Sequence, residues 1–246
     1  MDIFNVKQGI RLGSSLFKIT HNELNNLPLN ERAYFRPAID NDSVKNGQLS
    51  ERNFIWYPYD VNGLVIATEE ELIAKAPQYY QSTLLPNKAV LKERARKDLN
   101  NWWCLSEHRA WLRSTEPRLV STEFGRSDSF AFDKSGHFVV ERGNGWIPKK
   151  DFSSIDDYYF YLAIFSSRFF DNLLSIYSKQ LAGGNWFDLG KKYTDEIPIP
   201  NINDIEVKSS KGYHKLVQVG LELSIGNLHV KSIADEFTVK YFYPEV

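Results

Sequence analysis

Three glycine-bearing loops hold the side chains best suited to chemistry on a charged polymer. Residues 9–15 carry Arg11, Ser14 and Ser15 between and beyond Gly9 and Gly13; residues 125–129 carry Arg126 and Ser127 beside Asp128; residues 183–188 carry Asn185 and Trp186. Arginine forks, hydroxyls and glycine-exposed backbone N–H groups hold phosphates, and arginine and asparagine also match the major-groove edges of guanine and adenine. The same residue types fill ordinary turns, so each loop taken singly is ambiguous. Lys18, Lys92, Arg109 and Lys191 are candidate cationic partners of these loops. Arg109 and Arg113, four apart beside Trp102, Trp103 and Trp111, either grip an anionic backbone or stack on the rings as a structural cluster.

Catalytic arrangements are largely missing. GIRLGSS and GRSD lack the spacing of a phosphate-binding or dinucleotide loop, and no nucleophile elbow is present. His21, His108, His137, His214 and His229 are scattered, with no pair at metal-ligand spacing. Adenine methylation needs an Asn/Asp-Pro-Pro-aromatic tetrapeptide to hold a flipped base, and this chain contains no Pro-Pro pair and no glycine-rich loop for S-adenosylmethionine. One set stands as a rival: Asp195 with Glu206 and Lys208 loosely follows the D…ExK order of a Mg²⁺-dependent nuclease. The intervening IPIPNIND is proline-interrupted, whereas such carboxylates need adjacent strands. The sequence reading is therefore no catalytic residue and no metal site.

The 246 residues carry a net charge of −1, which opposes nonspecific coating of nucleic acid by bulk charge but allows a localised basic face. Hydrophobic residues at 42% are enough for a sizeable core. Cys104 is the single cysteine, so no internal disulfide framework exists. The first residues lack a signal-peptide core, and the most apolar stretch, 158–170, is broken by Ser166, Ser167 and Arg168. A cytoplasmic protein is expected, with no membrane partner.

The elements that must position the loops follow from pattern. FNV and LFKI within residues 3–20 predict two strands around a turn, with a local charge of +3 from Lys7, Arg11 and Lys18. YFRPAID and NFIWYPYD predict further strands. Thr68 and Glu71 form a capping-box signature opening a helical block over 68–98, with Pro77 ending or kinking its first helix. Lys88, Lys92 and Arg96 fall four apart on one side of the second helix. Residues 119–147 are β-rich, punctuated by GRSD, KSG and RGNG. The segment 155–181 predicts one long amphipathic helix ended by Gly183 and Gly184, and 211–232 predicts another helix.

Taken in order, VKQGIRLGSSLFKI, FRPAIDNDSVKNG, LPNKAVLKERA, NWW, HRAWLR, RLVSTEFGRSDSFAFD, GNGWIPK, YLAIFSSRF, LAGGNWFDLGKK and EIPIPN form a set. That set resembles the C-terminal specificity domain of TaqI-like N6-adenine DNA methyltransferases, including the fused type IIG restriction–modification enzymes. It is distantly similar to the target-recognition domains of type I specificity subunits. The resemblance spans roughly residues 4–203 and implies an α+β fold with mixed or antiparallel sheets packed by a long amphipathic helix. It implies a DNA target-recognition domain over 1–204, followed by a C-terminal helical extension over 205–246. The implied partners are double-stranded DNA and a methyltransferase catalytic domain, in the same chain or a separate one. S-adenosylmethionine would then be bound by that domain and no cofactor by this chain. Two other readings stay open: the Mg²⁺-dependent nuclease, and an assembly module docking through 211–246. On the recognition reading, Arg11→Ala or Arg126→Ala should weaken discrimination at particular base pairs, while Lys92→Ala should weaken all duplexes alike, as read by binding to single-base-pair variants.

Overall fold

The computed structural model describes residues 2–95 and 101–243. Arg96, placed on the basic stripe above, lies outside the described residues. Fourteen strands are present among them: β1 (Phe4–Gln8), β2 (Lys18–Thr20), β3 (Phe35–Ile39), β4 (Val44–Lys45), β5 (Gln48–Leu49), β6 (Asn53–Trp56), β7 (Tyr59–Asp60), β8 (Gly63–Leu64), β9 (Arg118–Thr122), β10 (Phe124–Gly125), β11 (Phe130–Asp133), β12 (Val139–Val140), β13 (Gly143–Pro148) and β14 (Phe187–Asp188). The helices are α1 (His21–Asn25), α2 (Leu29–Arg32), α3 (Glu69–Lys75), α4 (Pro77–Tyr79), α5 (Lys88–Lys92), α6 (Asp156–Phe165), α7 (Arg168–Tyr177), α8 (Lys191–Thr194), α9 (Ile205–Lys208), α10 (Lys211–Ser224) and α11 (Lys231–Phe242). This is the α+β architecture expected.

One sheet, ordered β1-β13-β9-β11, is antiparallel throughout; the other, β12-β3-β6-β2, is mixed through the parallel pairing of β12 with β3. Three two-stranded ribbons, β10-β14, β4-β5 and β7-β8, complete the β structure of the described residues. The antiparallel sheet has apolar cores on both faces. Val120 and Ala131 join one core, with Ile10, Ile39, Trp56 and Trp103. Their neighbours Leu119, Phe130 and Phe132 join the other, with Phe4, Trp146, Phe165 and Phe170. The two-residue period of a strand makes this possible, because successive side chains point to opposite faces. All of β9 and β11 is buried in consequence.

A double-faced sheet leaves little room for charge, and the exceptions are paired or hydrogen-bonded, although the Arg118 Nε has no partner among the described residues. Arg118 and Asp133, both essentially inaccessible, pair at 3.3 Å across β9 and β11. Arg118 also donates to the carbonyls of Gly136 and Phe138, and Arg36 donates to those of Gly136, His137 and Leu112. Burial pulls Arg36 down to about 10, so it stays charged at neutral pH. Two guanidiniums thus share one carbonyl and tie the 133–138 turn to both sheets.

Several local readings change. The strands in residues 3–20 do not form a hairpin: β1 pairs with β13 and β2 with β6, so the intervening loop crosses from one sheet to the other. The long helix over 155–181 is two helices. Ser167 is extended and caps α7 by accepting from the Phe170 N–H at 3.2 Å, which ends α6 at Phe165. Nine of the ten residues of α6 are buried, so it is not amphipathic; α7 carries the exposed face. Its aromatic stripe is core, with Phe165 lying 5.0 Å from Phe130 and 4.7 Å from Phe170 between ring centroids. Helix α10 packs on α6 where Gly220 approaches the Tyr159 backbone too closely for any Cβ. Pro77 closes the first helix of the block, as expected, by following the α3 C-cap Ala76 and opening α4, and α5 stops at Lys92. No helix of the described residues is long and apolar enough to cross a membrane.

Removing Arg118 alone strands a buried carboxylate. Arg118→Met should lower unfolding stability by about 3–5 kcal/mol in urea denaturation, and adding Asp133→Asn should restore part of the loss.

Candidate nucleic-acid interface

The ribbon β10-β14 does the assembly. Phe124 pairs with Asp188 and Gly125 with Phe187, and the Leu189 N–H donates to the Glu123 carbonyl at 3.1 Å. The loops 125–129 and 183–188 are thereby neighbours. On the other side of Glu123 runs the loop 9–15, which shares a 280 Å³ cleft with Glu123, Glu141, Arg142 and Gly143. Three loops, the first more than a hundred residues before the other two, border one strip, residues 122–124.

The crossover loop is held by its backbone. Gly9 and Ile10 donate to the carbonyls of Gly143 and Val140 at 3.1 and 2.8 Å, and Arg11 exchanges two main-chain bonds with Glu107. Ser14 caps the short 3-10 helix Ser15–Phe17 by accepting from the Leu16 N–H, and Ser15 is exposed. Beneath them the buried Arg94 donates to the carbonyls of Leu12, Leu91, Trp102 and Cys104 and lies over the Phe17 ring. That guanidinium is structural, satisfied by main-chain oxygens.

Most of the expected cations prove to be committed. Arg11 and Arg109 both reach Glu107, at 3.3 and 2.6 Å, and Arg109 also donates to the Gly9 carbonyl. Lys18 lies between Asp40 and Glu141 at 2.8 and 2.7 Å. Arg126 lies 3.5 Å from Asp171, whose two oxygens accept from the Ser127 N–H and hydroxyl at 2.7 and 3.0 Å. Lys18, Arg109 and the buried Ser127 therefore hold the protein's own groups. Arg11 and Arg126 stay about half exposed, each with one carboxylate partner. Lys88, on the expected stripe, is bound to Glu69 at 2.6 Å. Lys92, Asn185 and Lys191 are exposed, without ion pairs among the described residues. Lys191 opens α8 just after Leu189, whereas Lys92 lines neither the cleft nor the groove described next.

A 670 Å³ groove lies on the 183–188 side of the strip. It is lined by Asn41, Lys45 and Arg52 from the arm around β4-β5, by Phe124 and Ser129, and by Leu181 and Trp186. The sequence reading missed this arm. Its signal was present: Asn46-Gly47 between two short extended pairs is the strongest hairpin dipeptide, and both residues adopt left-handed φ, +53° and +86°. The Asn46 and Gly47 N–H groups donate to the carbonyls of Asp128 and Phe130 at 2.7 and 3.0 Å, pinning the arm's tip beside the Arg126 loop. Arg142, exposed at the first cleft, was also missed.

The rival nuclease set does not assemble. Lys208 donates to the buried Asp157 and to Ser153, and Asp157 also accepts from the Tyr213 hydroxyl, so the lysine is engaged at the first turn of α6. Among the described residues no group of three or more His, Cys, Asp or Glu is placed to hold a metal ion.

No family model matches the sequence, and no curated protein matches it. Among solved structures the chain is similar to the type IIL restriction–modification enzyme MmeI in complex with DNA, at a TM-score of 0.57 and 11% identity, covering 98% of this chain and 33% of that one. The likeness is one of fold, and the chain spans a third of the length of that relative.

Burial disfavours the charges of Lys18 and Asp40, but their mutual hydrogen bond, with Glu141 and Asn53, outweighs it: the lysine is raised and the aspartate lowered. The Asp40 contribution is present above its unfolded value of 3.8 and is lost as pH falls through its lower folded value. The Lys18 contribution is lost only as pH rises through a folded value above 10.5. Lys18→Met should therefore cost about 2 kcal/mol at pH 7 by chemical denaturation, a deficit that shrinks below pH 3.8 as the carboxylates protonate.

Proposed function

We propose that this chain is the DNA target-recognition module of a restriction–modification system. It reads duplex DNA for an N6-adenine methyltransferase whose catalytic domain lies elsewhere in the same polypeptide or in a separate chain. The observation that carries this reading is the shared fold, over 98% of the chain, with part of a restriction–modification enzyme solved with DNA. The ordered motifs of a TaqI-like specificity domain point the same way. The convergence of three donor-rich loops on residues 122–124 supplies the surface such a module needs.

On this reading the chain is not an enzyme by itself. It has no methyltransferase tetrapeptide, and S-adenosylmethionine belongs to the catalytic domain. Phosphates are met by exposed cations such as Lys191 and Arg142, and base edges by loop side chains. A net charge of −1 fits a module that closes on DNA as one half of a clamp, with the catalytic half supplying the rest of the attraction.

Selection of bound duplexes from a random library should enrich one site, and affinity for that site should fall at least about tenfold between 50 and 200 mM salt. A library from which no sequence is enriched would count against recognition and for an assembly role.

A further inference from the structure

We infer that the groove between the β4-β5 arm and the β10-β14 ribbon, more than the loop 9–15, sets which base pairs are accepted, with Asn41, Arg52 and Trp186 as specificity-determining residues. The inference rests on the recognition reading above and names where within the chain that reading is carried out.

Availability is the first argument. Base readout requires a fork or amide whose hydrogen atoms are not already in use. Arg11 and Arg126 each have a carboxylate partner, which a base would have to displace. The side chains of Asn41, Lys45 and Arg52 are exposed, and none of them has a hydrogen bond or ion pair among the described residues. Arginine forks onto guanine and asparagine onto adenine, so Arg52 and Asn41 supply two complementary readers on one arm.

The aromatic rings give the second argument. This chain packs its rings against one another throughout both cores, yet Trp186 is 51% exposed and Phe124 38% exposed, and neither makes a ring contact among the described residues. The Trp186 indole N–H has no partner there either. Two uncovered rings at this groove leave apolar area in water that a nucleic acid can cover, through a thymine methyl or a base face. The cations Lys45 and Arg52 share the groove with Asp42 and Asp128, and the exposed Lys45 is the group there that suits a phosphate.

Rigidity is the third. Main-chain bonds fix both walls: Asn46 and Gly47 to Asp128 and Phe130, and β10 to β14. Reading groups mounted on fixed backbone lose little freedom on binding.

The test uses the whole chain and the duplex selected from the random library, titrated beside a random-sequence duplex and single-base-pair variants of the site. Arg52→Ala, Asn41→Ala and Trp186→Ala should each lose about 5- to 100-fold affinity for the selected site and under about threefold for the random duplex. The loss of preference should be confined to one or two adjacent base pairs. Lys45→Ala should weaken both duplexes alike and lower the salt slope by about one. All four side chains are exposed, so thermal melts should match the wild type and any loss is a loss of contact. A wild-type chain that selects a site which these variants still prefer to the same degree overturns this inference alone. A wild-type chain that enriches no site overturns the recognition reading, and the inference with it.

Discussion

Arg118–Thr122 and Phe130–Asp133 are buried from end to end because apolar cores press on both faces of their sheet. Much of the remaining architecture follows from that confinement. A strand with no solvent face can present nothing polar to a partner along its length, so contact chemistry has to lie where the chain leaves the sheet. The segment leaving β9 does so at residues 122–129, and it recruits a second ribbon strand from beyond α7 and the arm's tip from the other side. The same confinement explains the pairing of Arg118 with Asp133: a lone charge there would carry the full penalty of desolvation.

Much of this organisation was legible in the sequence, and the parts that were not share a cause. Turn chemistry and alternation placed the β-rich region 119–147, and helical spacing placed 155–181. Spacing alone could not reveal that the helical segment bends at Ser166 and Ser167, since the apolar stripe continues on both sides of the cap. Nor could it reveal that α6 is enclosed on all sides, a property of what surrounds a helix and not of its own period. Strand partners were the larger omission. FNV and LFKI lie close in sequence, yet they serve different sheets, because Val140 and Gly143 capture the backbone between them.

At the candidate site the residue types were readable, and their obligations were not. Arg11, Lys18, Arg109 and Arg126 all carry the charge that a phosphate requires; the first two and Arg126 are bound to acids distant in sequence, and Arg109 to Glu107 two residues before it. Glu107, Asp40, Glu141 and Asp171 thereby fix cations in place. The free donors of Asn41, Lys45 and Arg52 flank a hairpin that Asn46-Gly47 signals, but residue type alone does not tell a free donor from an engaged one.

The way the arm is fastened has a bearing on how this protein can change. Asn46 and Gly47 grip Asp128 and Phe130 through main-chain atoms. The outward side chains of the arm take no part in that grip, so they can be exchanged without loosening it. Attachment and outward character are thus inherited separately. A lineage carrying this chain can vary the residues at 41, 45 and 52 by single substitutions while the scaffold beneath stays constant.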